Sequence, residues 1–105
     1  MTTFQEFVEY VCEQIADTGL VRYRKMFGDY QVYINDKPIL LVCDNTVFVK
    51  ILPELDSLMS HAEKNYPYPG AKEWYMLDIE NNELAHDVVE ILLPIIQVPK
   101  KKSRK

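Results

Sequence analysis

Glycine is scarce: Gly19, Gly28 and Gly70 are the only three in the chain. That scarcity leaves no phosphate-cradling glycine loop and no GxSxG nucleophile turn. The two histidines, His61 and His86, fall on different expected helices, and neither sits in an HExxH zinc spacing. The two cysteines, Cys12 and Cys43, lie in apolar surroundings without CxxC spacing. One disulfide is arithmetically open, but the start of the chain lacks the basic-then-apolar pattern of an export leader. Reduced, buried thiols are therefore expected. Long apolar runs are missing as well. The longest region, Val88 to Val98, is broken by Glu90, Pro94 and Gln97, and falls short of the roughly 20 residues that span a bilayer. The expectation is a cytoplasmic protein with no membrane partner.

What is present suits one folded unit. Hydrophobic residues make up 48% and aromatics 11% of 105 residues, enough for a core and too apolar for a disordered chain. Charge is unevenly placed. All 16 acids precede residue 100, whereas Lys100, Lys101, Lys102, Arg104 and Lys105 supply five of the 12 basic residues. Seven cations against those acids leave residues 1–99 at −9, and the tail at +5. The division expected is a domain over 1–98 and a basic disordered tail over 99–105. An acidic body repels nucleic acid, so nucleic acid enters as a partner only through that tail.

The first helix is signalled by Thr3 and Glu6, which fit a capping box. Phe4, Phe7, Val8, Val11, Cys12 and Ile15 follow at three- and four-residue steps. Gly19 is expected to end it in the left-handed conformation. Four strand-like runs come next: Arg22 to Phe27, Tyr30 to Ile34, Ile39 to Cys43 and Thr46 to Ile51. Gly28-Asp29, Asn35-Asp36-Lys37 and Asp44-Asn45 have turn chemistry, and links this short make neighbouring strands antiparallel. Gly28 is expected at a position of positive φ. Tyr30, Val32 and Ile34 alternate with Gln31 and Tyr33, as on a sheet with one covered face.

Pro53 suits the first turn of a second helix with Leu55, Leu58, Met59 and Ala62 inward. Tyr66-Pro67-Tyr68-Pro69-Gly70 reads as a stiff loop, and Lys72 to Ile79 as a fifth strand. Asn81 or Asn82 caps a third helix with Leu84, Val88, Ile91, Leu92 and Ile95 inward, which Pro94 ends or kinks. The fold expected is a two-layer α+β domain: an antiparallel meander with helices on one face, in the order α-β(3–4)-α-β-α.

Chemistry-bearing groups are few. His86 and Glu90 stand one helical turn apart, where two metal ligands or an ordinary surface pair would stand. Asp78 and Glu80 can be written as paired carboxylates, although such acids usually solvate a strand end. Cys12 or Cys43 could form a Cys–His nucleophile, but apolar surroundings raise a thiol's pKa and make it inert. No catalytic residue, cofactor or metal is assigned, and a non-enzymatic protein is expected. Arg22-Tyr23-Arg24-Lys25 interleaves cations with an aromatic, as nucleic-acid surfaces do. The same residues suit an edge strand whose charges block unwanted pairing.

At Arg24-Lys25-Met26-Phe27-Gly28-Asp29-Tyr30 the chain resembles the N-terminal domain of the TfoX (Sxy) competence-regulator family. That pattern is a basic-led Met-Phe-Gly-Gly-Tyr-Gly, a strand, an Asp-Gly-Lys-type turn and two more strands. Here Val32-Tyr33-Ile34, Asn35-Asp36-Lys37, Ile39 to Asp44 and Val47 to Lys50 follow in that order. The Tyr66 to Gly70 loop, the Trp74-Tyr75 strand and the closing helix are similar too, so the resemblance covers most of residues 3–96. Asp29 and Gln31 stand where the family has glycines, and Ile79-Glu80 replaces a common Val-Pro. The family's second, helical domain has no counterpart here, so a stand-alone domain is expected.

The resemblance implies a fold similar to the secretion-chaperone-like group. It also implies a regulatory protein-interaction module tied to bacterial transcription, without cofactor or catalytic residues. The motif residues Arg24, Lys25, Met26, Phe27, Gly28 and Tyr30 are expected to be mainly structural. The alternative is a chaperone-like dimer that binds an extended peptide or client. Candidate interaction residues are Arg22, Arg24 and Lys25, the basic tail, and Val89, Leu93 and Ile96. The last three have no stated cover on the third helix, which makes that helix the expected face of a homodimer.

Overall fold

In the computed structural model, which describes residues 5–26 and 29–98, helix α1 (Gln5–Gln14) precedes strands β1 (Val21–Met26), β2 (Asp29–Ile34), β3 (Lys37–Cys43) and β4 (Thr46–Val49). A short β5 (Lys64–Asn65), strand β6 (Trp74–Leu77) and helix α2 (Asn82–Leu92) complete it. The strands form one antiparallel sheet in the order β1-β2-β3-β4-β6-β5. Two of its hairpins are set by local chemistry. Asn35 and Asp36, then Asp44 and Asn45, take positive φ at both central positions, which matches the right-handed twist of the flanking strands.

Strand alternation sorts the side chains into two layers. Val32, Ile34, Leu40, Val42, Val47, Val49, Tyr75 and Leu77 face α1 and α2 in the main core. Val8, Val11 and Ile15 come down from α1, and Ala85, Val88, Val89 and Leu92 from α2. Leu41, Cys43 and Phe48 form a small second cluster on the opposite face, flanked by Trp74 and Met76. Pro38 in an inner strand would cost a ladder hydrogen bond. A register shift between Val32 and Tyr33 accommodates it, and seats both Ile39 and Leu40 in the main core.

The helices are clasped at their ends. Asn82 Nδ2 donates to the Gln14 carbonyl at 2.8 Å, and Gln14 Nε2 donates to the Ile79 carbonyl at 2.9 Å. Asn81 caps α2 by accepting the Leu84 N–H. At the other end Lys37 donates its ammonium to the Leu93 carbonyl, a cation where the helix dipole is negative.

Several expectations are corrected. Pro53–Leu55 is a 3-10 turn continued by irregular turns, not a helix. Asp56, Ser57 and Ser60 are poor helix formers, and the chain must straighten by Lys64 to pair with β6. Leu55 and Met59 are nonetheless buried, with Leu58 and Ala62 against the core. Met26 pairs with Asp29, so Asp29 belongs to β2 and the expected Gly28-Asp29 link does not hold; positions 27 and 28 lie outside the described residues. A 3-10 turn over Ala16–Thr18 follows α1, and Gly19 is extended at φ 163°, not left-handed. Its reason is close approach, since a Cβ there would lie 2.8 Å from Ile34 Cγ2. Val89 is 0% exposed, because α2 turns the stripe Ala85, Val88, Val89 and Leu92 inward at three- and four-residue steps.

Candidate functional site

The β3–β4 end of the sheet carries a cleft of about 620 Å³. Asp29 at the start of β2, Cys43 at the end of β3 and Asp44 in the following turn form one side. The segment Tyr66-Pro67-Tyr68-Pro69-Gly70-Ala71 forms the other. Each tyrosine precedes a proline, and the clash with the proline ring holds its backbone extended. The loop then turns at Gly70, whose φ of 85° favours glycine, and closes with the Ala71 N–H on the Tyr68 carbonyl. Tyr66 and Tyr68 are left 60% and 51% exposed. Two large rings thus stand in solvent on a stiff loop.

Cys43 sits at the back of this cleft, where burial first, then the Asp29 and Asp44 carboxylates and a hydrogen bond to Asp29, push its thiol up to about 12. Burial and Glu9 push the Cys12 thiol up to about 11. Neither holds a useful thiolate fraction at neutral pH, so neither is an activated nucleophile. Both cysteines are free thiols, Cys43 buried and Cys12 half-buried. Titration with a disulfide reagent at neutral pH should label both slowly, Cys12 ahead of Cys43, and release two equivalents at once after unfolding. Rapid native labelling of Cys43 would contradict this environment.

Tyr68 also borders a second cleft, of about 600 Å³, with Lys50, Ile51, Leu52, Lys72, Glu73 and Trp74. A third hollow, about 450 Å³, lies between the 53–62 turns and the start of α2. Its walls include Leu58, Met59, Leu77 and Leu84, with His61, Glu63 and Asp78 among the polar groups.

The candidate residues read from the sequence do not gather at one place. β1 is an edge strand, with Arg22, Arg24 and Lys25 exposed along it. Arg22 pairs with Asp36 at 2.5 Å and lies over the Tyr33 ring. Tyr23 points to the helix side, donating its hydroxyl to Glu9 and packing edge-on against Tyr30. Of the motif, Met26 is half-buried and Tyr30 buried; Phe27 and Gly28 lie outside the described residues. So do Thr3 of the expected capping box and the tail cations Lys100, Lys101, Lys102, Arg104 and Lys105. Leu93 and Ile96 are half-buried against the main core. With Val89 buried, the apolar strip expected on this helix is reduced to those two. Asp78 is occupied locally, accepting the Glu80 N–H. Among the described residues, no group of three or more His, Cys, Asp or Glu is placed to hold a metal ion, and no helix is long and apolar enough to cross a membrane.

His86 is engaged away from Glu90. Its Nδ1 lies 2.7 Å from the Asn82 carbonyl and its Nε2 2.5 Å from Asp17 Oδ1. Both partners are acceptors, so a ring protonated on both nitrogens donates both bonds and a neutral ring only one. The Asn82 carbonyl, then Asp17, raise the His86 pKa above 6.5, with Glu90 adding to it. The His86 hydrogen bond lowers Asp17 below 3.8. A raised histidine contributes stability in full below its unfolded pKa and loses it as pH rises through the folded one. A lowered aspartate contributes above its unfolded pKa and loses it as pH falls through the folded one. The pair therefore stabilises most between about pH 4.5 and 6.5. In urea melts, the cost of His86→Gln should be larger near pH 5.5 than near pH 8.5; a pH-independent cost would show that the bridge does not form.

The cleft residues Asp29, Asp44, Tyr66 and Tyr68 were not legible as a site. The one available signal was the repeated Tyr-Pro, which reads equally well as a stiff connection.

No protein-family model matches the chain. A search of known proteins finds similarity to an uncharacterized 12.7 kDa protein in the trpE 5′ region of Spirochaeta aurantia, 27% identical over 107 residues. The alignment covers 100% of this chain and 93% of that protein.

Proposed function

We propose that this chain is a non-enzymatic regulatory module that acts by binding another protein, similar to the TfoX N-terminal domain and serving bacterial transcriptional regulation. The observation that carries the reading is the cleft under the Tyr66–Ala71 loop. It displays two exposed aromatic rings, the side chains most enriched where proteins bind one another, while the thiol behind them is held protonated. The order of motif and strands from Arg24 to Lys50 supports the family part of the proposal. The chaperone-like alternative called for an exposed apolar strip on α2, and the burial of Val89 weakens it.

Affinity capture on the full chain from an extract of its own cell, read by mass spectrometry, tests the reading. A transcription protein retained by the wild type and lost on Tyr66→Ser with Tyr68→Ser is the expected result. Retention of one secreted client alone would overturn it in favour of the chaperone-like reading.

A further inference from the structure

We propose that Tyr68 stands at the centre of a mixed-charge peptide groove, in which the Asp29–Asp44 cleft takes an arginine of a protein partner and the Lys50–Lys72 cleft takes an acidic side chain of the same segment. The inference rests on the reading of this chain as a protein-binding module, and adds the chemistry of what it binds.

Charge complementarity selects the occupant. The described residues lining the first cleft include Asp29 and Asp44 and no cation. Asp29 accepts the Cys43 thiol hydrogen, and Asp44 is exposed in the turn that follows β3. Tyr66 and Tyr68 line the same cleft as those acids, with half or more of their surface exposed. A planar guanidinium uses both features together: it stacks on an aromatic ring and forks onto a carboxylate, whereas an ammonium is a compact, strongly hydrated charge. Across Tyr68 the sign reverses, since the second cleft carries Lys50 and Lys72 against the single acid Glu73, with Trp74 beside them. A ring shared by an acidic and a basic hollow gives a bound segment a direction. Two prolines and the Tyr68–Ala71 turn also restrict the loop backbone, so less ordering entropy opposes binding.

Titration of the isotopically labelled full chain with peptides of about 12 residues tests this. Each carries one arginine and one glutamate, in either order, separated by two to six residues. One spacing and order should bind best and shift the amides of Asp44, Tyr66, Tyr68 and Lys72. Replacing the peptide arginine with glutamine should weaken binding at least about fivefold, as loss of a charge-assisted pair does. Asp44→Asn should do the same, because asparagine tolerates the positive φ of that turn. Tyr68→Ser should weaken every peptide, and Lys72→Gln should abolish the preference for glutamate. Unchanged spectra of the variants away from the loop show that the fold is kept.

Equal binding of arginine and glutamine peptides, or shifts confined to the Leu58–Leu84 hollow, would overturn the groove. A gain of about tenfold or more on replacing Lys100, Lys101, Lys102, Arg104 and Lys105 with glutamine would also overturn it. That gain would make the chain's own tail the occupant, competing at high effective concentration. Failure of the groove is separable from failure of the module: a captured partner held equally by wild type and Tyr68→Ser removes the groove alone.

Discussion

Leu40→Ala should lower stability by about 2–5 kcal/mol, the range for truncating a fully buried leucine. Leu40 is buried completely in β3, hydrogen-bonded to β2 on one side and β4 on the other. It lies opposite Val32 in the layer beneath the helices. Its neighbours are held by strands and cannot collapse freely into the space, so part of the cost is a residual cavity. For a domain of this size the loss is a large share of the whole, since total stability is typically about 5–15 kcal/mol. Two further variants give the comparison. Leu41→Ala empties the small cluster on the opposite face and should cost less, because fewer apolar groups lose contacts there. Leu20→Ala, at a side chain 65% exposed, should stay within about 0.5 kcal/mol of wild type. Urea melts of the three order the two faces, and a Leu41→Ala cost above that of Leu40→Ala would place the main core on the wrong side.

The sheet was readable because its signals are local. Alternation in β2 and two-residue turns of Asn and Asp dictate neighbouring antiparallel strands without help from distant residues. The segment 53–62 was not readable for the opposite reason. Its apolar spacing fits a helix and its inward residues were identified correctly, but pairing of Lys64 and Asn65 with β6 decides its backbone. A two-residue strand leaves almost no pattern in a sequence. The rotation of α2 was hidden in the same way. Val88, Val89, Leu92 and Leu93 are all apolar, and only docking on the sheet selects the stripe that includes the small Ala85.

Sites made of loops and turns are harder still. Asp29, Asp44 and the Tyr66–Ala71 loop come from three separated stretches that only the sheet order brings together. Each has an ordinary reading alone: a strand start, a turn aspartate and a stiff link. The cysteines were partly legible: apolar neighbours in sequence became a buried environment for Cys43 and a half-buried one for Cys12, and burial raises both thiol pKa values.

Gly19→Ala should destabilise the protein by about 1–3 kcal/mol, the cost of forcing extra volume into a close-packed site. The backbone itself offers no objection, since a φ of 163° is extended and open to any residue. Removing a glycine also stiffens the unfolded chain, which alone would stabilise by about 0.4–1 kcal/mol. The steric term must therefore overcome a favourable one, and the neighbours decide whether it does. A Cβ would lie 2.8 Å from Ile34 Cγ2 and 2.9 Å from Asn35 Oδ1. Ile34 is fully buried and cannot swing away. Asn35 is held from two sides: its N–H donates to the Leu20 carbonyl, and its side-chain oxygen accepts the Leu20 N–H, both at 2.9 Å. Yielding at either residue disturbs the β2–β3 turn or the entry to β1. Gly70→Ala provides the contrast, for there φ is 85° and no atom lies within 4 Å of the new methyl. Its cost of about 1–2 kcal/mol comes from the left-handed conformation alone, so Gly70→Asn should recover much of it. Gly19→Asn should recover nothing, because asparagine carries the same Cβ into the same contact. A Gly19→Ala protein that melts with or above wild type would mean that residues 19 and 20 do not lie against Ile34 and Asn35.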